Sequence, residues 1–383
     1  MRFSVDAHAI GRHQTGNEVY VRNLLSGFAA LDKESEFFAY YSAVDAPGGI
    51  PERFHARRVS SNPFVRLGAH LGHRVRQDRP DLLHVQYTAP LHCAAPVVAT
   101  VHDVSFLERP EYFPPAQAMQ LRWTVKRTVA RAAWVVTVSE FSRRCIENAY
   151  GPLEGRISVI PNGGSTLYRP MAREVAAAWV ARRMNVQAPF LLTVGDLQRR
   201  KNQIGLIEAF ADLVRTHPEL PHHLVLAGKD TWHSAAVHQA AARSGAGERI
   251  RFTGLVTDEE LRHLYGACDL FVFPSFYEGF GLPILEAMGC GRAVACSNTS
   301  AMPEVANAAG ILFDPHSKEE MARALLDLLL NPELRMRMER LGLKRAAQFT
   351  WERTARQTLD VYYRVAGARR ERARAKREKS LPV

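Results

Sequence analysis

The sequence predicts an α/β chain of two doubly wound domains, each a parallel sheet with both faces covered by helices. Three observations carry that reading. Short apolar runs alternate with amphipathic helical stretches, the signature of strand–helix–strand units and hence of parallel sheets. The pattern occurs twice, once on each side of the turn-forming segment Pro161-Asn162-Gly163-Gly164. A chain of 383 residues with 46% apolar composition also exceeds what one compact core accommodates.

In chain order, the first set of predicted strands covers residues 2–6, 37–41, 82–86, 97–101, 134–138 and 157–160, with helices including 18–31 and 118–132 between them. The second set covers 190–194, 224–227, 250–252, 270–273, 293–296 and 311–313. The boundary is expected between Asn162 and Pro189, where an Ala- and Arg-rich stretch has no strand character. Residues 1–175 are therefore assigned to an N-terminal domain, 185–350 to a second domain, and 351–383 to a helix with a basic tail. From Lys318 to Lys379 the pattern is almost wholly helical, and Trp351, Leu359, Tyr362 and Tyr363 supply an apolar face. A long C-terminal helix crossing back onto the first domain would bury that face. Open parallel sheets bind ligands beyond the carboxyl ends of their strands. Two such sheets facing each other place the expected site in the cleft between domains.

Composition narrows the function classes. Charged residues are 23% of the chain, which excludes wholesale disorder. Asp6, His8, Arg12 and His13 stand where a signal peptide would need an apolar stretch. No apolar run reaches the roughly 18 residues of a spanning helix, so a cytoplasmic protein is expected. The five cysteines (Cys93, Cys145, Cys268, Cys290 and Cys296) form no CxxC pair, which favours buried reduced thiols over a zinc site. Of the formal charge of +11, the segment Arg364–Lys379, with eight basic and two acidic residues, supplies +6. A solvated helical extension is the plain reading. The sharper one is peripheral contact with an anionic membrane leaflet, where each basic residue contributes about 1 kcal/mol. Nucleic acid is not expected, since neither aromatic interleaving nor a recognition motif accompanies the charge.

The chemistry is concentrated in two segments of the second domain. Residues 275–291 read SFYEGFGLPILEAMGCG. Here Glu278 lies in a loop after a strand, Gly279 and Gly281 follow it, and a helix is expected to start near Leu282 or Pro283. Glycines before a helix N-terminus let backbone amides approach an anion, which the helix dipole also favours. Glu286 falls about one turn into that helix, so the two carboxylates are placed to accept bonds from separate hydroxyl groups of one elongated ligand. Taken alone, either glutamate is an ordinary surface charge; the glycine loop and helix start tip the balance. Residues 194–202 read VGDLQRRKN: a strand ending at Gly195, then Arg199, Arg200 and Lys201 before a helix capped near Asn202. Cations at a helix N-terminus disfavour the helix, so the arrangement makes sense when an anion is held there. An exposed basic turn is the bland alternative.

The first domain gives weaker signals. AIGRHQTGNEVYVRNLL places Gly11 and Gly16 between the first strand and a helix, and ATVHDVSF places His102 and Asp103 at a strand end. A glycine turn and a structural histidine are common features of such folds.

Together these segments resemble the retaining glycosyltransferases of family 4. The resemblance rests on Glu278–Glu286 with seven residues between, RKN at Arg200–Asn202, IPNG at Ile160–Gly163, SEFS at Ser139–Ser142 and SAMPEVANAAGILFDP at Ser300–Pro315. The wording GDLQRRKN is similar to that of bacterial mannosyltransferase-like members. The resemblance implies a GT-B fold of two Rossmann-like domains. It implies that Glu286 binds the nucleotide ribose and Glu278 the donor hexose, with the amides of Gly279, Phe280, Gly281 and Leu282 near sugar and phosphate. Arg200 and Lys201 then neutralise the diphosphate beside Gly195, His102 reaches the hexose, and Gly16 lies near the diphosphate and acceptor. The loop GRHQTGNE departs from the family pattern. No Asp-x-Asp occurs in the chain, so no metal and no other cofactor is expected. The expected partners are a nucleotide-sugar donor and a glycan or lipid-linked acceptor. Competing readings are a nucleotide-sugar epimerase, a catalytically silent sugar or nucleotide binder, and a nucleic-acid binder working through the tail.

Overall fold

The computed structural model describes residues 1–12, 15–43 and 48–378. It divides into two compact units: Met1–Gly163 together with the chain from Trp351 onward, and Gly164–Thr350. Residues 164–175, expected with the first domain, therefore belong to the second unit. Helix Arg173–Met184 packs on helix Asp258–Ala267, and Arg173 pairs with Asp269 and with Glu339. A polar, Ala-rich segment carries no local signal of which sheet it will cover; these long-range partners decide it.

The first unit holds seven parallel strands, β1 (Arg2–Asp6), β2 (Glu36–Tyr41), β3 (Phe54–Arg58), β4 (Leu82–Gln86), β5 (Val97–Thr100), β6 (Trp134–Thr137) and β7 (Ile157–Val159), in the order β3-β2-β1-β4-β5-β6-β7. Strand alternation sends Phe37 and Ala39 to one core and Phe38 and Tyr40 to the other. The C-terminal helix Trp351–Glu378 covers the first of these. Its buried Tyr362 ring lies 5.1 Å from the rings of both Phe3 and Phe28, and its hydroxyl is 2.6 Å from Nδ1 of His84. Tyr363, by contrast, is partly exposed and donates to Asp32 at 2.7 Å. The basic tail begins docked on its own unit: Arg364 lies over the Trp134 ring, Arg369 donates to the Pro80 carbonyl, and Arg370 pairs with Asp81. Its last basic residue, Lys379, lies outside the described residues.

The second unit holds six parallel strands, β8 (Phe190–Val194), β9 (His223–Ala227), β10 (Ile250–Gly254), β11 (Leu270–Phe273), β12 (Ala293–Ser297) and β13 (Ile311–Phe313), in the order β10-β9-β8-β11-β12-β13. β11 and β12 are buried at every residue, as strands covered on both faces must be. In each sheet the order reverses beside the first strand, at β1/β4 and at β8/β11, and such switch points leave a crevice at the carboxyl strand ends. Cys145, Cys268, Cys290 and Cys296 are buried and Cys93 is half-buried, all as free thiols. No described helix is long and apolar enough to cross a membrane.

Candidate functional site

The two segments singled out above meet at the switch point of the second unit. β8 and β11 are neighbours, so the loops leaving their carboxyl ends, Gly195–Asn202 and Pro274–Gly281, run side by side. Gly195 follows β8 with φ +148, and a Cβ there would come within 3.0–3.4 Å of the Lys201 side chain. Glycine thus leaves the lysine the space to fold back over the strand end. Arg199–Lys201 form one 3-10 turn before helix Gln203–Thr216. Asn202 stands at the helix start, but not as the expected side-chain cap. Its backbone is left-handed at φ 53 and its amide donates to the Pro315 carbonyl at 2.8 Å, which ties the basic turn to a distant loop.

Glu278 receives both cations. Arg200 donates to one carboxylate oxygen at 2.6 Å and Lys201 to the other at 2.8 Å, while Arg200 also reaches the Tyr277 carbonyl at 3.1 Å. The backbone locks the loops further, with the Phe276 N–H donating to the Arg200 carbonyl and the Glu278 N–H to the Ser300 hydroxyl. Burial on its own would raise the Glu278 carboxyl; Arg200 and Lys201 overrule it and hold the group at about 2. Burial also lowers Lys201, which Glu278 opposes, and its ammonium lies 4.9 Å from the centre of the Phe273 ring. Two cations on one carboxylate leave a net positive charge in a partly desolvated crevice.

Next to that charge the helix Leu282–Gly289 begins. Gly281 is its N-cap in left-handed backbone, Pro283 occupies its first turn, and no side chain caps the amides. These donors and the positive helix end suit an anion. Glu286 sits one turn in, half-buried, and accepts from the Tyr265 hydroxyl at 2.9 Å. Burial raises its carboxyl to about 7, against the lowering effect of that bond. Gly279 and Leu282 complete the loop, and the Phe280 ring packs edge-on against Phe349.

The remaining predicted residues lie on the first unit. His102 follows β5, its Nε2 2.8 Å from the Gln86 side-chain oxygen and its ring 4.8 Å from that of Tyr20. Burial lowers its imidazole to about 4, so it is neutral at pH 7. Asp103 is occupied in capping the turn at Ser105. Gly16 is exposed and lies inside the first turn of helix Thr15–Leu31, not ahead of it as expected, with open space where a side chain would be. His13 and Gln14 of the same loop lie outside the described residues.

The structure thus brings Gly195, Arg200, Lys201, Glu278, Phe280, Gly281 and Glu286 together around one pair of loops. Three contributors are not among the site residues that the sequence predicts. Ser300, at φ 53, holds the Glu278 backbone, and its motif did carry a signal. Tyr265 sets the Glu286 environment from a helix with no distinguishing pattern. Pro315 supplies the carbonyl that anchors Asn202.

Comparison with known proteins bears on the family and the fold. Residues 15–166 match the family model described as Glycosyltransferase Family 4, and residues 181–345 match Glycosyl transferases group 1. The chain is 34% identical over 265 residues to O-antigen chain mannosyltransferase B of Escherichia coli, an alignment spanning 69% of each protein. Among solved structures it resembles sucrose-phosphate synthase from Thermosynechococcus elongatus (TM-score 0.78, 21% identity, 96% of this chain and 99% of that one). It also resembles Anabaena Alr3699/HepE in complex with UDP and glucose (TM-score 0.75, 22% identity, 94% and 98%).

Proposed function

The chain belongs to glycosyltransferase family 4 and is a glycosyltransferase of the GT-B type, and from that premise we propose that it transfers a hexose, mannose in the first place, from a nucleoside-diphosphate sugar to an acceptor hydroxyl with retention of configuration. The observation that carries the proposal is the pair Arg200 and Lys201, held on Glu278 beside the uncapped helix start at Gly281.

Breaking the bond between the anomeric carbon and the donor phosphate puts negative charge on the diphosphate and positive charge on the sugar ring. Arg200, Lys201 and the amides of Gly279 to Leu282 stabilise the first of these, with no reorganisation at the moment of reaction. Glu278 positions the cations before the donor arrives and then shares its carboxylate with hexose hydroxyls. Glu286, when ionised, accepts from the ribose. The acceptor oxygen attacks on the face the diphosphate leaves, and its proton passes to the departing phosphate oxygen. The cationic pair takes the role that a metal has elsewhere, so the reaction is proposed to run without one. The roles of His102 and Gly16 rest on the family resemblance, with which a neutral imidazole able to bond a sugar hydroxyl and a glycine with open space beside it are compatible.

The mannose assignment is supported by the relative named O-antigen chain mannosyltransferase B, and the same name supports a surface-polysaccharide acceptor; GDP as the donor base follows from the wording GDLQRRKN around Arg200 alone. UDP-hexose is the second reading, favoured by the solved neighbour that holds UDP and glucose. A cytoplasmic enzyme, with its basic tail at the anionic membrane face, fits such an acceptor. The test is a melting-temperature panel of nucleoside diphosphates and nucleotide sugars in EDTA, followed by anomeric analysis of the product. A shift with GDP and GDP-mannose, an α-linked product, and a loss of both binding and turnover in Lys201→Ala are expected. Shifts with UDP compounds alone would select the second reading, and donor turnover without any acceptor would mean an epimerase.

A further inference from the structure

A pocket of about 460 Å³ opens at the other end of the second unit's sheet. It borders the amino ends of β11 and β12, through Asp269's partner Arg173 and through Arg292, which immediately precedes β12. Glu278 and Lys201 lie at the carboxyl ends of the same sheet, about 15 Å away along strands of four to five residues at roughly 3.3 Å each. The helix Leu282–Gly289 runs between the two places, from Gly281 at the donor loop to Cys290 at the pocket.

Arg292 is the unexplained group there. It is only 6% exposed, yet its guanidinium makes no hydrogen bond or ion pair among the described residues, and its Nε is enclosed without a partner. A buried charge is ordinarily paired, because losing its hydration is costly. The nearby carboxylates are already engaged: Glu339 bonds Arg173 at 3.2 Å, and Asp269 is shared between Arg173 and His222. The Cys290 thiol on the pocket wall offers no negative charge, since burial pushes it up to about 12. Arg340, also on the wall, is exposed and has no ion-pair partner among the described residues. The pocket is therefore short of anionic charge opposite two guanidinium groups. Met171, Met336 and Leu343 line its remainder with apolar surface.

We infer that this pocket is a binding site for a phosphate monoester of a small organic molecule, its phosphate held by Arg292 and Arg340 and its carbon skeleton by the methionine and leucine wall. Planar guanidinium groups suit a tetrahedral oxyanion through paired N–H bonds. The volume lies within the range of small-molecule sites and is far larger than a bare phosphate would fill.

Calorimetric titration and melting-temperature shifts of the full chain at fixed ionic strength test this, with glucose 6-phosphate, inorganic phosphate and glucose as probes. Glucose 6-phosphate is expected to bind and to raise the melting temperature, inorganic phosphate to act more weakly, and glucose not at all. Arg292→Met removes the enclosed charge at similar volume, and Arg340→Ala alters an exposed side chain; each is expected to weaken the sugar phosphate at least tenfold. Lys201→Ala, which cripples the donor loop, is expected to leave that binding intact. Binding kept in Arg340→Ala and Arg292→Met but lost in Lys201→Ala would place the anion at the donor loop and overturn the assignment. Absence of binding would do the same, and equal affinity for inorganic phosphate would overturn the ester.

Discussion

Replacing Glu278 by Gln tests whether one carboxylate organises the two loops of the candidate site. The side chain is 10% exposed and takes Arg200 at 2.6 Å and Lys201 at 2.8 Å. Its carboxyl stands at about 2 in the folded chain against an ordinary 4.5, and at about 1.4 kcal/mol per unit that difference is about 3 kcal/mol of stability at neutral pH. A second route agrees: removing one partner of a buried ion pair costs about 3–5 kcal/mol, and the partial exposure of Arg200, 23%, favours the lower end. Because the folded value lies below the ordinary one, this stability is fully present above about pH 4.5 and disappears as the pH falls toward 2. Glu278→Gln should therefore lose about 3 kcal/mol at pH 7 relative to the parent, and the gap should narrow steadily between pH 4.5 and 2. Two units make a single unfolding transition an unsafe readout. Hydrogen exchange of peptides covering β8 and β11, with peptides from β1 and β4 as the internal reference, isolates the second unit. Equal protection in parent and variant at pH 7, or a gap independent of pH, would show that the carboxylate does not hold the cations and would refute the reasoning.

Three further outcomes follow from the same geometry. Glu286 is raised to about 7 by burial, so its accepting, ionised form grows as the pH rises from 6 to 8. Nucleoside-diphosphate affinity should rise over that window in the parent, and the difference between parent and Glu286→Gln should vanish below pH 6, as read by calorimetry. Gly195→Ala should push a Cβ into the Lys201 side chain at 3.0–3.4 Å from a backbone at φ +148; turnover should drop at least tenfold while the far-ultraviolet dichroism is unchanged. Tyr362→Phe leaves the buried His84 nitrogen without its 2.6 Å partner and should cost about 1–3 kcal/mol in the first unit, measured by exchange protection of β4.

Most strands were legible because a strand covered on both faces must be apolar along its whole length, as in Leu270–Phe273 and Ala293–Ser297. Phe54–Arg58 was not, since it is an edge strand paired only to β2 and exposes most of its length, so its sequence FHARR need not be apolar. Glycine lowers helical expectation, so the sequence puts Gly16 ahead of its helix, whereas the observed helix runs through it from Thr15. Asn202 reads as an N-cap from composition, and a carbonyl 113 residues away claims its amide.

The sequence by itself determined the class of the fold, two parallel sheets with helices, and singled out the residues that meet at the candidate site, because periodicity, glycine turns and helix starts are local properties of the chain. It also determined that Glu278 and Glu286 belong to one loop and helix. Only the tertiary structure decided that Arg200 and Lys201 close on Glu278, that Tyr265 faces Glu286, and that Arg292 is buried without a partner. The reason is physical: the state of an ionisable side chain depends on solvent removed and charges brought near by segments far away in sequence, and strand order alone makes β8 and β11 neighbours.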